Sequence, residues 1–139
     1  MSIKILIADD DPVLRYGLIA YLDRDPELQV VAQAEDGDQV IPKIEQVHPD
    51  VLLLDINMPG MTAAQILEAL PDLENPPEVL IFSAYSDPGK VEDLVRAGAR
   101  GYLLKTTPPK HILEGIRAVA CGQEWFSPGI YHLMHQNRI

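Results

Sequence analysis

The sequence is poor in cysteine and in long apolar runs, and these scarcities exclude whole classes of protein. Cys121 is the single cysteine among 139 residues, so no internal disulfide can form and a reducing compartment is favoured. No segment approaches the roughly 20 consecutive apolar residues that a membrane-spanning helix needs. Acidic residues from Asp9 onward also interrupt the apolar stretch that a secretory signal requires. We therefore expect a cytoplasmic protein that makes no contact with a membrane.

Basic residues are scarce as well. The chain has 11 Lys and Arg against 21 Asp and Glu, which gives a formal net charge of −10 at pH 7. Nucleic acids and anionic membranes are bound by basic surfaces, so the composition argues against direct binding of this chain to either. It is compatible with the binding of divalent cations. With 47% apolar residues, a chain of this length forms one domain that needs no disulfide or structural metal.

Short apolar runs alternate with amphipathic segments of helix length. The runs with strand character are Ile3–Ala8, Leu28–Ala34, Val51–Leu54, Val79–Phe82 and Tyr102–Leu104. The segments with helical spacing and capping residues run from Pro12 to Leu22, Asp38 to about Val47, Thr62 to about Leu70, Asp87 to Gly98, and Pro108 to Gly122. Strands joined by helical crossovers are parallel, and the crossovers are right-handed. The pattern predicts an α/β fold, a doubly wound five-stranded parallel sheet with helices on both faces.

Two parts of this pattern are less regular. Pro42 lies inside the second predicted helix, which either begins later than Asp38 or bends at the proline. After Gly122 the alternation stops. We expect residues 1–122 to form the domain and residues 123–139 to be a tail, or the start of a helix that leads elsewhere.

Polar side chains follow the ends of four predicted strands. They are Asp9, Asp10 and Asp11 after the first strand, Asp55 after the third, Ser83 after the fourth and Lys105 after the fifth. Strands often end in polar residues because they end at the surface, but that does not explain a gathering of carboxylates. Ligands of open α/β sheets bind at this edge, and a hard cation such as Mg²⁺ offsets the repulsion between carboxylates. A carboxylate beside Mg²⁺ can also attack a phosphoryl donor and form an aspartyl phosphate.

Four motifs lie at these strand ends. They are Ile-Ala-Asp9-Asp10-Asp11-Pro12, Leu53-Leu54-Asp55-Ile56-Asn57-Met58-Pro59-Gly60, Phe82-Ser83-Ala84 and Gly101-Tyr102-Leu103-Leu104-Lys105. Each motif alone is weak. In this order, the four together resemble the receiver domain of two-component response regulators over nearly the full chain. The resemblance implies the flavodoxin-like fold of five βα units that receivers share.

The resemblance implies a magnesium site formed by carboxylates and one carbonyl. Asp55 would be the phosphoacceptor and would also contact the metal. Asp10 would bind Mg²⁺ directly, and Asp9 would act largely through water. Asn57 would contribute its backbone carbonyl, so its side chain is not committed by that role.

Three further residues would respond to the phosphoryl group. Ser83 would hydrogen-bond the group and shift toward it on activation, and Lys105 would pair with its oxygens. Tyr102 would be the aromatic switch that rotates inward as Ser83 moves.

Other segments resemble receivers of the NarL/LuxR type, which usually carry a C-terminal helix-turn-helix domain. These segments are residues 9–18, residues 97–105 and Trp125-Phe126-Ser127-Pro128. The implied partners are a sensor histidine kinase as phosphoryl donor, a second copy in a homodimer, and DNA only through an output domain missing from this chain. The implied role is regulation of transcription, not enzymatic turnover.

Two alternatives stay open at this point. One is a natural single-domain receiver or adaptor in a phosphorelay. The other is a Mg²⁺-dependent phosphatase with an aspartyl nucleophile, although such enzymes typically have Asp-x-Asp where this chain has Asp55-Ile56-Asn57.

The chain also departs at two positions from the pattern of the receivers that it resembles. Asp11 stands where the NarL/LuxR type often has His, and it either tightens metal binding or faces solvent, the second being favoured. Thr106 stands where many receivers have Pro, so a cis Lys–Pro bond is not available after Lys105.

Overall fold

The computed structural model describes residues 2–84 and 87–136, with side chains as far as His132. Within these residues the strands are β1 (Ile3–Ala8), β2 (Leu28–Ala34), β3 (Val51–Leu54), β4 (Glu78–Ser83), β5 (Gly101–Leu104) and β6 (Trp125–Phe126). The helices are α1 (Pro12–Leu22), α2 (Val40–Val47), α3 (Ala63–Ala69), α4 (Pro88–Arg96), α5 (Pro109–Ala120) and α6 (Pro128–Gln136). Short 3-10 turns, Gly37–Gln39 and Leu70–Asp72, precede α2 and follow α3.

The strands form one parallel sheet in the order β2-β1-β3-β4-β5-β6. The parallel, doubly wound sheet is as predicted, but the predicted number of five strands is one too few. Trp125 pairs with Gly101, and Phe126 pairs with Tyr102. A strand of two residues is too short to show alternation in the sequence. Its pairing depends on the open edge of β5, which exists only in the folded chain.

Alternating residues of each strand point to the two faces of the sheet, and each face has its own core. Ile5 and Ile7 of β1 belong to a cluster completed by side chains of α1 and α5. Leu6 and Ala8 point the other way, into a cluster completed by α2, α3, α4 and α6. Helices therefore cover both faces, which accounts for the fully apolar sequences of the central strands.

The structure also shows where α2 begins. Asp36 caps the 3-10 turn, and the α-helix starts only at Val40. Pro42 is thus the third helical residue, where its missing N–H has no intrahelical acceptor to lose. Of the two alternatives, the later start is the correct one.

None of the helices in the described part of the chain combines the length and the apolar character that spanning a membrane requires.

Candidate functional site

The carboxyl ends of four neighbouring strands meet at one edge of the sheet. Asp9 follows β1, Asp55 follows β3, Ser83 ends β4 and Lys105 follows β5. Their backbones are joined directly: the Asp55 N–H donates to the carbonyl of Ala8 at 2.9 Å, and the Lys105 N–H donates to the carbonyl of Ser83 at 2.8 Å. The sheet thus brings together the polar residues that the sequence placed at separate strand ends.

Three carboxylates form the centre of this edge. Asp9, Asp10 and Asp55 each offer one carboxylate oxygen, and these oxygens lie within 4.8 Å of one another. Asp9 and Asp55 are buried, whereas Asp10 is exposed and leaves the cluster open to solvent. Oxygen ligands on two rigid strand ends, with room for water, are the donor set that Mg²⁺ prefers. These residues therefore fit a magnesium ion.

Lys105 joins the two buried carboxylates. Its ammonium nitrogen lies 2.9 Å from Oδ2 of Asp9 and 3.5 Å from Oδ2 of Asp55. The other oxygens are held by backbone N–H groups: Asp11 donates to Oδ1 of Asp9 at 2.9 Å, and Asn57 donates to Oδ1 of Asp55 at 3.2 Å. Both carboxylates are thus fixed in orientation by donors on either side.

These surroundings shift the acidity of two groups. Burial, and then the negative charge of Asp9, raise the pKa of Asp55, and the N–H of Asn57 and the charge of Lys105 offset only part of this rise. Burial alone would lower the pKa of Lys105, but the hydrogen bond to Asp9 and the two negative charges outweigh it and raise that pKa. Lys105 therefore stays charged. The surroundings of Asp55 disfavour its ionised form compared with a carboxylate in water.

Ser83 ends β4, and Tyr102 lies on the neighbouring strand β5. Both side chains are fully buried. Burial raises the pKa of Tyr102, so its hydroxyl keeps its proton. The aromatic ring therefore occupies the inward position next to the serine.

One buried cation beside the site was not expected from the sequence. Arg15 of α1 is 4% exposed and donates to the backbone carbonyl of Asp9 at 2.6 Å and to Gln33 at 2.9 Å. Arg15 precedes Leu18 by three residues and Leu22 by seven, so it lies on the apolar face of α1. That spacing is the signal that could have identified it.

Asp11 lies outside the carboxylate cluster. Its exposed side chain caps α1 by accepting from the N–H groups of Val13 and Leu14, at 3.0 and 3.3 Å. Helix capping explains the carboxylate at this position without a metal contact.

The loop after Asp55 is held by the 3-10 turn before α2. The Gly37 N–H donates to the carbonyl of Pro59 at 2.8 Å, and the Met61 N–H donates to Oδ1 of Asp38 at 3.0 Å. This loop contains Asn57, so a turn far away in sequence helps to define its backbone.

Comparisons with known proteins agree on one family. Residues 5–117 match the response regulator receiver domain family. The transcriptional regulatory protein DegU of Brevibacillus brevis is 34% identical over 135 residues, covering 94% of this chain. The nitrate/nitrite response regulator protein NarP of Escherichia coli (strain K12) is 36% identical over 136 residues, covering 98%. The chain spans 56% of the length of that DegU and 63% of NarP, so both relatives are longer proteins.

Solved structures show the same similarity. A two-component response regulator of the LuxR family from Aurantimonas sp. SI85-9A1 superposes with a TM-score of 0.93 at 25% identity, with 99% of each chain covered. The signal receiver domain of the response regulator NarL from Mycobacterium tuberculosis superposes with a TM-score of 0.83 at 34% identity, covering 88% of this chain and 98% of that one. The chain therefore belongs to the response regulator receiver domain family and is related to its NarL/LuxR-type members.

Proposed function

We propose that this domain is a phosphorylation-controlled switch that accepts a phosphoryl group on Asp55 from a sensor histidine kinase, with Mg²⁺ as cofactor. The observation that carries the proposal is the grouping of Asp9, Asp10 and Asp55 within 4.8 Å, with Lys105 bridging two of them. Two buried carboxylates at the ligand-binding edge of the sheet, one of them with a raised pKa, are typical of a functional site.

Each residue of the cluster has a part in the proposed transfer. A carboxylate oxygen of Asp55 attacks the phosphorus atom, the bond from phosphorus to the donor breaks, and the donor leaves with that electron pair. Asp9, Asp10, Asp55 and the backbone carbonyl of Asn57 would hold Mg²⁺ at this edge of the sheet. Bound Mg²⁺ supplies positive charge that offsets the repulsion between Asp55 and the incoming phosphoryl oxygens.

Lys105 and Ser83 complete the site around the transferred group. The Lys105 ammonium, already 3.5 Å from Asp55, turns to pair with the phosphoryl oxygens once Asp55 is modified. Ser83 donates a hydrogen bond to the same group. Tyr102, which already lies inward next to Ser83, stabilises the arrangement in which Ser83 faces the phosphoryl group.

The output proposed for this switch is transcription. DegU and NarP are named as regulators, and the chain covers less than two-thirds of each. We assign residues 1–122 to the main part of the receiver, and residues 123–139, which add β6 to its sheet and Ile130 of α6 to its core, to the segment that leads toward a helix-turn-helix output domain. In this scheme the protein acts in the cytoplasm, dimerises on activation and reaches DNA only through the output domain.

Intact-mass measurement tests the assignment of Asp55. The chain is incubated with acetyl phosphate, with and without Mg²⁺, as wild type, as Asp55→Asn and as Asp72→Asn, a control at an exposed position of the 3-10 turn after α3. We expect one added phosphoryl group in the wild type and the control, only with Mg²⁺, and none in Asp55→Asn. Labelling of Asp55→Asn at the wild-type rate would show that Asp55 is not the acceptor.

A further inference from the structure

Ser127, the residue after β6, is a buried polar side chain that the proposed transfer does not use. It is 1% exposed. Its hydroxyl oxygen accepts a hydrogen bond from the N–H of Leu104 at 2.9 Å and lies 2.9 Å from the hydroxyl oxygen of Thr107. Its own N–H donates to the carbonyl of Tyr102 at 3.1 Å. One buried hydroxyl thus contacts both ends of the turn that contains Lys105.

The end of β6 explains why a side chain is needed there. β6 pairs with β5 over two residues, and Pro128 then begins α6. The first hydrogen bond of α6 runs from the N–H of Tyr131 to the carbonyl of Ser127, at 2.8 Å. The backbone has turned away from the sheet, so the Ser127 hydroxyl accepts from the next N–H of β5 in place of a backbone carbonyl. This contact is partly buried, and an N–H left there without an acceptor is costly, so the hydroxyl stabilises the local backbone.

The turn itself has a defined backbone. The N–H of Thr107 donates to the carbonyl of Leu104 at 2.9 Å and closes the turn. The N–H of Lys105 donates to the carbonyl of Ser83 at 2.8 Å. With Ser127 holding the turn from the opposite side, the Lys105 ammonium is directed to the carboxylates, 2.9 Å from Asp9.

We propose that Ser127 is a positioning residue for Lys105, so that the phosphoryl site depends on a hydroxyl from the segment after residue 122. This inference rests on the proposed function, in which Lys105 pairs with the phosphoryl oxygens. Ser127 acts through the backbone of the turn and touches neither the metal nor the phosphoryl group.

Two affinities distinguish positioning of Lys105 from a general structural effect. The full chain is titrated with Mg²⁺ alone by isothermal calorimetry, and with beryllium trifluoride at saturating Mg²⁺ by fluorine NMR. Beryllium trifluoride stands in for the phosphoryl group, which Lys105 contacts, whereas the carboxylates contact the metal. We expect Ser127→Ala to weaken beryllium trifluoride binding about tenfold, as for a lost hydrogen-bond partner, with no loss of Mg²⁺ affinity, because a displaced Lys105 does not compete more strongly for the carboxylates. Ser127→Thr keeps the hydroxyl and is expected to recover most of the lost affinity.

Two variants serve as controls. Thr106→Val removes an exposed hydroxyl next to Lys105 on the same turn. Ile44→Val trims a buried core side chain on α2 and lowers stability without touching the turn. Neither is expected to change the affinity for beryllium trifluoride.

Several results would overturn the inference. One is a Ser127→Ala variant that binds beryllium trifluoride as tightly as the wild type. Another is an equal loss of affinity for beryllium trifluoride and for Mg²⁺, which is what general destabilisation would produce. Should Ser127→Ala fail to fold, Thr107→Val replaces it, because it keeps the acceptor for Leu104 and removes the other contact. A smaller loss confined to beryllium trifluoride then supports the inference, and no loss overturns it.

A wild type that binds Mg²⁺ but neither binds beryllium trifluoride nor accepts a phosphoryl group contradicts the proposed function itself.

Discussion

At the scale of single residues, the carboxylates at the sheet edge repel one another, and the effect is seen at Asp55. Its pKa is raised by burial and by Asp9 above the ordinary value of 3.8. The native state therefore binds this proton more tightly than the unfolded chain does. The stability that the proton contributes is present below pH 3.8 and is lost as the pH rises through the native pKa. At neutral pH the ionised Asp55 thus lowers the free energy of unfolding.

Asp55→Asn is accordingly expected to stabilise the metal-free protein at neutral pH. Removing one of two negative charges a few ångströms apart should raise the free energy of unfolding by about 1 kcal/mol, even in a dielectric as high as that of water. Urea denaturation with a chelator present measures the gain, which should shrink toward acid pH as Asp55 itself becomes protonated. Asp72→Asn, at an exposed position, is expected to change stability little. A less stable Asp55→Asn at neutral pH would contradict this account of the site.

At the scale of elements, loops after the strands are held by neighbours that are distant in sequence. Gly37 shows this most directly, because a Cβ built on it would lie 1.9 Å from the carbonyl oxygen of Met61. The 3-10 turn before α2 and the loop after Asp55 therefore approach each other closely enough to require glycine. Gly17, in the middle of α1, is the opposite case, because a Cβ added there would meet no neighbouring group within 4 Å.

Alanine at the two glycines is expected to act in opposite directions. Gly37→Ala forces the loop away from the turn and should cost about 1–3 kcal/mol of unfolding free energy, as overpacking does. Gly17→Ala should stabilise the protein by about 0.5–1 kcal/mol, because alanine favours a helix interior. Chemical denaturation of both variants gives the comparison. Equal effects of the two substitutions would show that the close approach at Gly37 is not maintained in solution.

An ion pair joins α5 to the connection between α1 and β2. Arg117 of α5 contacts the carboxylates of Asp25 and Glu27. The N–H of Glu27, and then the guanidinium of Arg117, lower the pKa of Asp25 below 3.8. The stability from this group is therefore present above pH 3.8 and is lost as the pH falls through its lower native pKa.

Asp25→Asn is expected to lower the midpoint of thermal unfolding at neutral pH and to lose that deficit in acid. Thermal scans from neutral to strongly acidic pH, with the wild type beside the variant, measure the difference. The opposite trend, a deficit that grows toward acid, would show that Asp25 does not have a lowered native pKa.

At the scale of the whole molecule, a net charge of −10 opposes compaction. Monovalent salt screens this repulsion generally, whereas a bound cation acts at one place. Mg²⁺ is therefore expected to raise the midpoint of unfolding more than NaCl at equal ionic strength. A cation present at one hundred times its dissociation constant adds about 2.7 kcal/mol to the free energy of unfolding. Asp10→Asn removes the exposed carboxylate of the cluster, so it should keep the response to NaCl and lose the extra response to Mg²⁺. Equal responses to Mg²⁺ in the two proteins would argue against metal binding at this site.

The sequence alone was sufficient to predict the parallel sheet, the main helices and the residues at the strand ends. These features depend on contiguous patterns: apolar runs, helical spacing, and polar residues such as Asp55 and Lys105 at the point where a run stops. Because parallel strands present their carboxyl ends at one edge, the chain order of such residues is enough to predict that they meet.

Features that depend on partners distant in the chain emerged only from the folded structure. β6 needs the open edge of β5, Arg15 is buried because Asp9 and Gln33 accept its hydrogen bonds, and Ser127 is needed because the backbone leaves the sheet there. Ser127 and the two-residue strand β6 carry no local pattern that separates their roles from an ordinary place at the surface, whereas the helical spacing of Arg15 indicates its burial but not its hydrogen-bond partners. Their free energy comes from contacts that form only when the chain has folded, and the local sequence does not encode those contacts.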